Sequence, residues 1–85
     1  MPGYEYVLHR GALLGALACA DPQMVRLFQA IELLTEDATR RADLYGQDSE
    51  GRLMSWMKVG DYAVGYAADH SRKLIQILDI RQVAD

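Results

Sequence analysis

The chain has 85 residues, enough for one compact domain near the lower limit for a self-sufficient core and too few for a second. Apolar residues make up 51% and charged residues 25%, a balance that excludes both a disordered chain and a membrane-embedded one. A net charge of -3 and a pI near 5.2 exclude a general basic field for nucleic acid, so any phosphate contact must come from a local patch on an acidic body.

Tyr4 to Leu8 (YEYVL) alternates around Glu5 and predicts an extended strand, because aromatic and β-branched side chains suit a pleated surface. Arg10 to Ala20 is rich in Ala and Leu, with Leu13, Leu14 and Leu17 at helical spacing, and predicts a helix whose leucine stripe lies in the core. Gly11 and Gly15 weaken that helix or let it pack closely. The stretch HRGALLGALACADP imitates a leader with an Ala-Cys-Ala cleavage site. Its apolar run is too short to span a bilayer, which takes about 20 residues. The strand before it carries Glu5 where a leader has basic residues, and Ala16 stands where a lipoprotein acceptor has leucine. No leader and no membrane association are expected.

Asp21 is expected to cap a second helix and Pro22 to open it. Met24, Leu27, Phe28, Ile31 and Leu34 trace its buried face, while Arg26, Gln29 and Glu32 point away. Thr35 to Gly51 has little apolar periodicity and reads as a connection with one helical turn near Ala38 to Asp43. Arg52 to Val59 predicts a strand with Arg52, Met54, Trp56 and Lys58 on one face. Gly60-Asp61 makes a tight turn, after which Tyr62, Val64 and Tyr66 alternate with Ala63, Gly65 and Ala67. Asp69-His70-Ser71 turns the chain into a last strand, Leu74 to Arg81, apolar on both faces as a central strand is. The order implies an α+β fold: an N-terminal strand, a two-helix hairpin, then a three-stranded antiparallel meander, all in one twisted sheet with the helices on one face.

Val59-Gly60-Asp61-Tyr62 with Val64 and Tyr66, the strand from Leu74 to Arg81, and a helical hairpin ending Ala30-Ile31-Glu32-Leu33-Leu34 together resemble the RelE/ParE toxin superfamily, the toxin halves of bacterial toxin-antitoxin pairs. The resemblance spans nearly the whole chain and implies a cytoplasmic protein with a cognate antitoxin as partner. It also implies a cellular target: the ribosome and its messenger RNA for RelE-type ribonucleases, DNA gyrase for ParE-type members. The ribonuclease branch works with lysines and arginines on the open sheet face, since attack of a ribose hydroxyl on phosphate builds negative charge that cations must stabilise. Here the arginine expected after Tyr62 is Ala63, and the lysines expected on the preceding strand fall on Met54 and Trp56. The arginine expected past the last strand falls on Val83, and no tyrosine follows it. Lys58 keeps its charge at a matching site, and Arg81 lies two positions short of one.

The candidate catalytic residues are therefore Lys58, Arg52 and Arg81, and the family's set is largely missing. Ala63, Gly65 and Ala67 make a shallow, bare surface fit to receive another chain or to pack in a homodimer. Trp56 leads the interface candidates, with Met54 and Arg81 beside it. His9, His70 and Cys19 read as plain surface residues, and Glu36 and Asp37 as a solvated charge cluster near Arg40 and Arg41. Cys19, His9 and His70 are too far apart for a zinc pattern, so no metal or cofactor is expected.

Overall fold

The computed structural model describes residues 3–37, 44–47, 51 and 53–83. Within them the order is β1 (Glu5–Leu8), α1 (Arg10–Leu17), α2 (Asp21–Glu36), β2 (Leu44–Gln47), β3 (Leu53–Val59), β4 (Tyr62–Asp69) and β5 (Leu74–Gln82). The strands form one five-stranded sheet in the order β1, β5, β4, β3, β2. Neighbouring pairs are antiparallel except β1 with β5, which is parallel. A parallel pair cannot be joined by a tight turn, and here all the other elements lie between its two strands: the helices carry the chain from β1 at one edge to β2 at the other, and the meander returns it to β5. The α+β expectation holds with one more strand than expected: β2, inside the stretch that reads as a connection, pairs Tyr45 with Ser55 and Gly46 with Met54. The helical turn expected at 38–43, and Arg40, Arg41 and Arg52, lie outside the described residues.

The core lies between the helices and one sheet face. Leu27, Ile31 and Leu34 of α2 meet Met57, Val64, Tyr66, Ile75, Ile77 and Ile80, with Met24 and Phe28 packed at the margin. The face predicted for the second helix is thus the buried one. Its start differs: the N-cap is Ala20, with no side-chain hydrogen bond, and Asp21 is already helical, where its charge suits the helix N-terminus. Thr35, buried in this region, satisfies its hydroxyl by donating to the Glu32 carbonyl at 2.6 Å.

Helix α1 is the larger correction. Its buried residues are Ala12 and Ala16, whereas Leu13, Leu14 and Leu17 are 45%, 57% and 65% exposed, so the leucine stripe is not core. The reason lies in the sheet. β1 covers the edge of β5 only as far as Ile77, whose carbonyl accepts from the His9 N–H at 2.9 Å. Beyond that point α1 itself closes on β5: a Cβ on Gly11 would lie 3.3 Å from the Leu78 carbonyl oxygen, and one on Gly15 would overlap the Ile80 carbonyl oxygen. Only a face of small residues can come that close, and the leucines on the opposite side of the helix are turned outward.

Two turns set the register of the meander. Val59 pairs with Tyr62 across Gly60 and Asp61, and Gly60 has φ +60, the positive value that the first position of a II′ hairpin demands. Between Asp69 and Leu74 the Asp69 carboxylate accepts from the Ser71 hydroxyl at 2.7 Å, the Ser71 N–H at 3.1 Å and the Arg72 N–H at 3.2 Å. The turn closes through Lys73, which takes φ 52 without being glycine.

Candidate functional site: the open sheet face

Side chains alternate across a strand, so every second residue of β3, β4 and β5 faces away from the helices. Tyr62, Val64, Tyr66 and Ala68 of β4 belong to or pack on the core, which leaves Ala63, Gly65, Ala67 and Asp69 on the open face. A bulge between Gly65 and Tyr66 offsets β5 by one residue, so Gly65 pairs with Asp79 while Tyr66 pairs with Ile77. Ile75, Ile77 and Ile80 therefore all reach the core, and Gln76, Asp79 and Arg81 fall on the open side.

The register brings most of the expected site together. Lys58, Ala63 and Arg81 form one row across three strands; Trp56, Gly65 and Asp79 form the next. Trp56 spans its neighbours. A Cβ on Gly65 would sit 3.0 Å from Trp56 Cη2, and one on Gly46 would sit 3.3 Å from Trp56 Nε1, so glycines in β2 and β4 make the floor on which the indole rests. Met54 also lies over Gly65 and is 6% exposed, buried on this side without joining the core cluster. The Arg81 guanidinium lies 5.3 Å from the Trp56 ring centroid, within cation–π range, while its Nε donates to Asp79 Oδ2.

This arrangement does not look like a site emptied for phosphate. Among the described residues the open face carries Lys58 and Arg81 against Glu5, Asp69 and Asp79, so carboxylates outnumber cations. Arg81 is held by both a carboxylate and an aromatic face. Ala67 pairs with Gln76 one row further and stays half-buried, away from Trp56. Nothing in the sequence pattern singles out Gly46 or Asp79 as part of this face. Asp79 and Arg81 are two apart, a spacing that puts both on one strand face, but the bulge and the apolar residues on both sides of β5 hid that signal.

The remaining candidates lie elsewhere. His70 sits in the turn after β4, where its Nδ1 meets the Tyr4 hydroxyl at 2.7 Å, and His9 Nε2 meets Gln76 Oε1 at 2.9 Å. Cys19, expected at the surface, is instead buried in the core cluster just past α1, where its thiol donates to the Gly15 carbonyl at 3.3 Å. A hydrogen bond with Cys19, helped by burial, raises the Tyr62 hydroxyl above its ordinary pKa of 10.0. Glu36 ends α2 and Asp37 caps it, remote from the open face. No group of three or more metal-ligating side chains occurs among the described residues, and none of their helices is long and apolar enough to cross a membrane.

No family model matches the chain, and no curated protein matches it in sequence. Solved structures do. The archaeal RelE–RelB complex from Pyrococcus horikoshii superposes with a TM-score of 0.76 at 17% identity over 94% of each chain. The isolated E. coli RelE toxin gives 0.78 at 12% identity over 96% of this chain and 86% of its own. The chromosomal ParDE system from P. aeruginosa gives 0.67 at 19% identity over 95% of this chain and 97% of its own. The architecture is thus the one seen in the E. coli RelE toxin and in solved RelE–RelB and ParDE structures. It is the RelE/ParE toxin fold.

Proposed function

We propose that the chain is the toxin component of a bacterial toxin-antitoxin system and acts mainly by binding other proteins in the cytoplasm. The observation that carries this reading is the Trp56, Arg81 and Asp79 cluster on a floor of Gly46 and Gly65. A large aromatic ring, a stacked arginine and small residues around them make the kind of patch that dominates protein interfaces. Several solved structures with this fold are complexes of a toxin with its antitoxin, which supports a cognate antitoxin as the first partner. The second is a cellular machine, the ribosome or DNA gyrase, that the free toxin blocks.

Cleavage of RNA is the lesser reading. Loss of one charge-stabilising group costs about a hundredfold or more in rate, and here Ala63, Met54 and Trp56 stand where the resemblance places cations. Lys58 and Arg81, in one row with Ala63 between them, are what favours it, with Arg52 as a third candidate. A folded scaffold without activity is the remaining outcome. Expression without a partner separates the three. The binding reading expects growth inhibition with bulk messenger RNA intact. Ribosome-positioned cleavage that disappears in Arg81→Ala would establish the nuclease instead, and unaffected growth would leave the scaffold.

A further inference from the structure

The outward leucines of α1 are the least explained feature of the molecule. Single exposed leucines are ordinary, but Leu13, Leu14 and Leu17 share one side of one helix, with Arg10 on the same stripe, at the spacing of a buried face. The fold has already used the opposite side of α1 for its own packing, against β5. Among the described residues this ridge therefore has no packing role of its own.

We infer that the ridge is a contact surface for a second copy of the chain, docked antiparallel, α1 against α1. The ridge is self-complementary in a way that a surface meant only for a different partner has no reason to be. In an antiparallel crossing centred between Gly15 and Ala16, Leu14 meets the second copy's Leu17, and Leu13 falls on the second copy's Ala18, a large residue on a small one. The same crossing brings Arg10, which opens α1, opposite the second copy's Asp21, just past its end. Two-fold symmetry makes each contact twice, as an isologous interface requires. Both charged residues are exposed, so the two ion pairs lie at the rim and select the antiparallel orientation more than they add affinity. Three partly exposed leucines per copy fall short of the roughly 800 Å² per partner of a standard interface, so the dimer is a weak one, with a dissociation constant in the micromolar range or above.

Sedimentation of the purified chain over a wide concentration series tests this. The expected result is a shift from the 9.5 kDa monomer toward twice that mass as concentration rises. Leu14→Glu should weaken association by about tenfold or more, as for a central contact residue. Its thermal melt should stay within the spread of repeats, because the side chain is already exposed in the fold. Arg10→Glu should weaken the dimer, and pairing it with Asp21→Lys should restore it. A monomer at every concentration overturns the inference, as does a dimer indifferent to Leu14→Glu or a double variant no better than Arg10→Glu alone. If the chain stays monomeric and Leu14→Glu instead abolishes capture by a co-expressed antitoxin, the ridge belongs to that partner and the inference fails, while the proposed function stands.

Discussion

Trp56 and Gly65 face each other across the β3 and β4 ladder, and the indole occupies the space that a side chain at position 65 would need. A Cβ there would lie 3.0 Å from Cη2 and 3.1 Å from Cζ3 of the ring and would also run into the end of Met54. Met54 can swing aside because its thioether end is flexible; the ring, held between two glycines, has no comparable escape. Gly65→Val should therefore lift Trp56 off the sheet and away from Arg81. The expected cost is about 1–3 kcal/mol by urea unfolding, with a red-shifted tryptophan emission and weakened antitoxin binding. Unchanged emission would mean that the ring does not rest on Gly65.

The tether on Arg81 can be tested from its other side. Asp79→Ala removes the carboxylate that its Nε donates to and leaves the guanidinium on Trp56 alone. The open face then loses one of the three described acids that outweigh its cations. Single-stranded RNA should bind a few-fold more tightly at low salt, and the gain should fade as salt rises, because it comes from phosphate neutralisation. If Asp79→Ala leaves RNA affinity untouched at low salt, Arg81 is not restrained by its neighbour.

The parts of the fold written in period and turn chemistry could be read directly. The buried face of α2, the alternation of β4 and the Gly60-Asp61 turn each follow from local rules that no distant contact overrides. What could not be read depends on which surface an element is pressed against. The leucines of α1 have the spacing of a core stripe, yet the backbone of β5 accepts only the glycine and alanine side of that helix. β2 was invisible because a four-residue edge strand containing Gly46 has almost no alternation to display, and its pairing comes from β3. Trp56 shares a face of β3 with Lys58, and Ala63 a face of β4 with Gly65 and Ala67, by strand parity alone. Which sheet face Asp79 and Arg81 share depends on the bulge before them, which shifts the parity of β5 by one residue.

Two glycines of α1 that look alike in the sequence should behave differently. Alanine at either position gains about 1 kcal/mol of helix propensity. At position 15 the new methyl overlaps the Ile80 carbonyl, a backbone group that moves only if β5 moves, so Gly15→Ala should be destabilising by about 1–3 kcal/mol net. At position 11 the nearest atom is the Leu78 carbonyl oxygen at 3.3 Å, close enough to cancel the propensity gain and little more, so Gly11→Ala should be within about 0.5 kcal/mol of the parent. Chemical unfolding of both variants checks the contrast, and equal midpoints would mean that α1 does not close on β5 as described.

The turn between β4 and β5 makes a prediction about pH. The Ser71 hydroxyl, followed by the Arg72 backbone N–H, holds the Asp69 carboxyl below its ordinary pKa of 3.8, because both donate to the ionised form. A carboxyl lowered in the folded state favours folding when it is ionised. Its contribution is complete above the unfolded value and is lost as pH falls through the lower, folded one. The loss should therefore begin near pH 3.8 and continue below it, with neutral and alkaline solutions unaffected by this group. Asp69→Asn removes the titration while keeping an oxygen that can accept. It should melt at a lower temperature than the parent at pH 7, and the two curves should draw together in strong acid. A gap that persists undiminished at pH 2, or appears only there, would show that the turn draws its stability from the shape of the side chain and not from its charge.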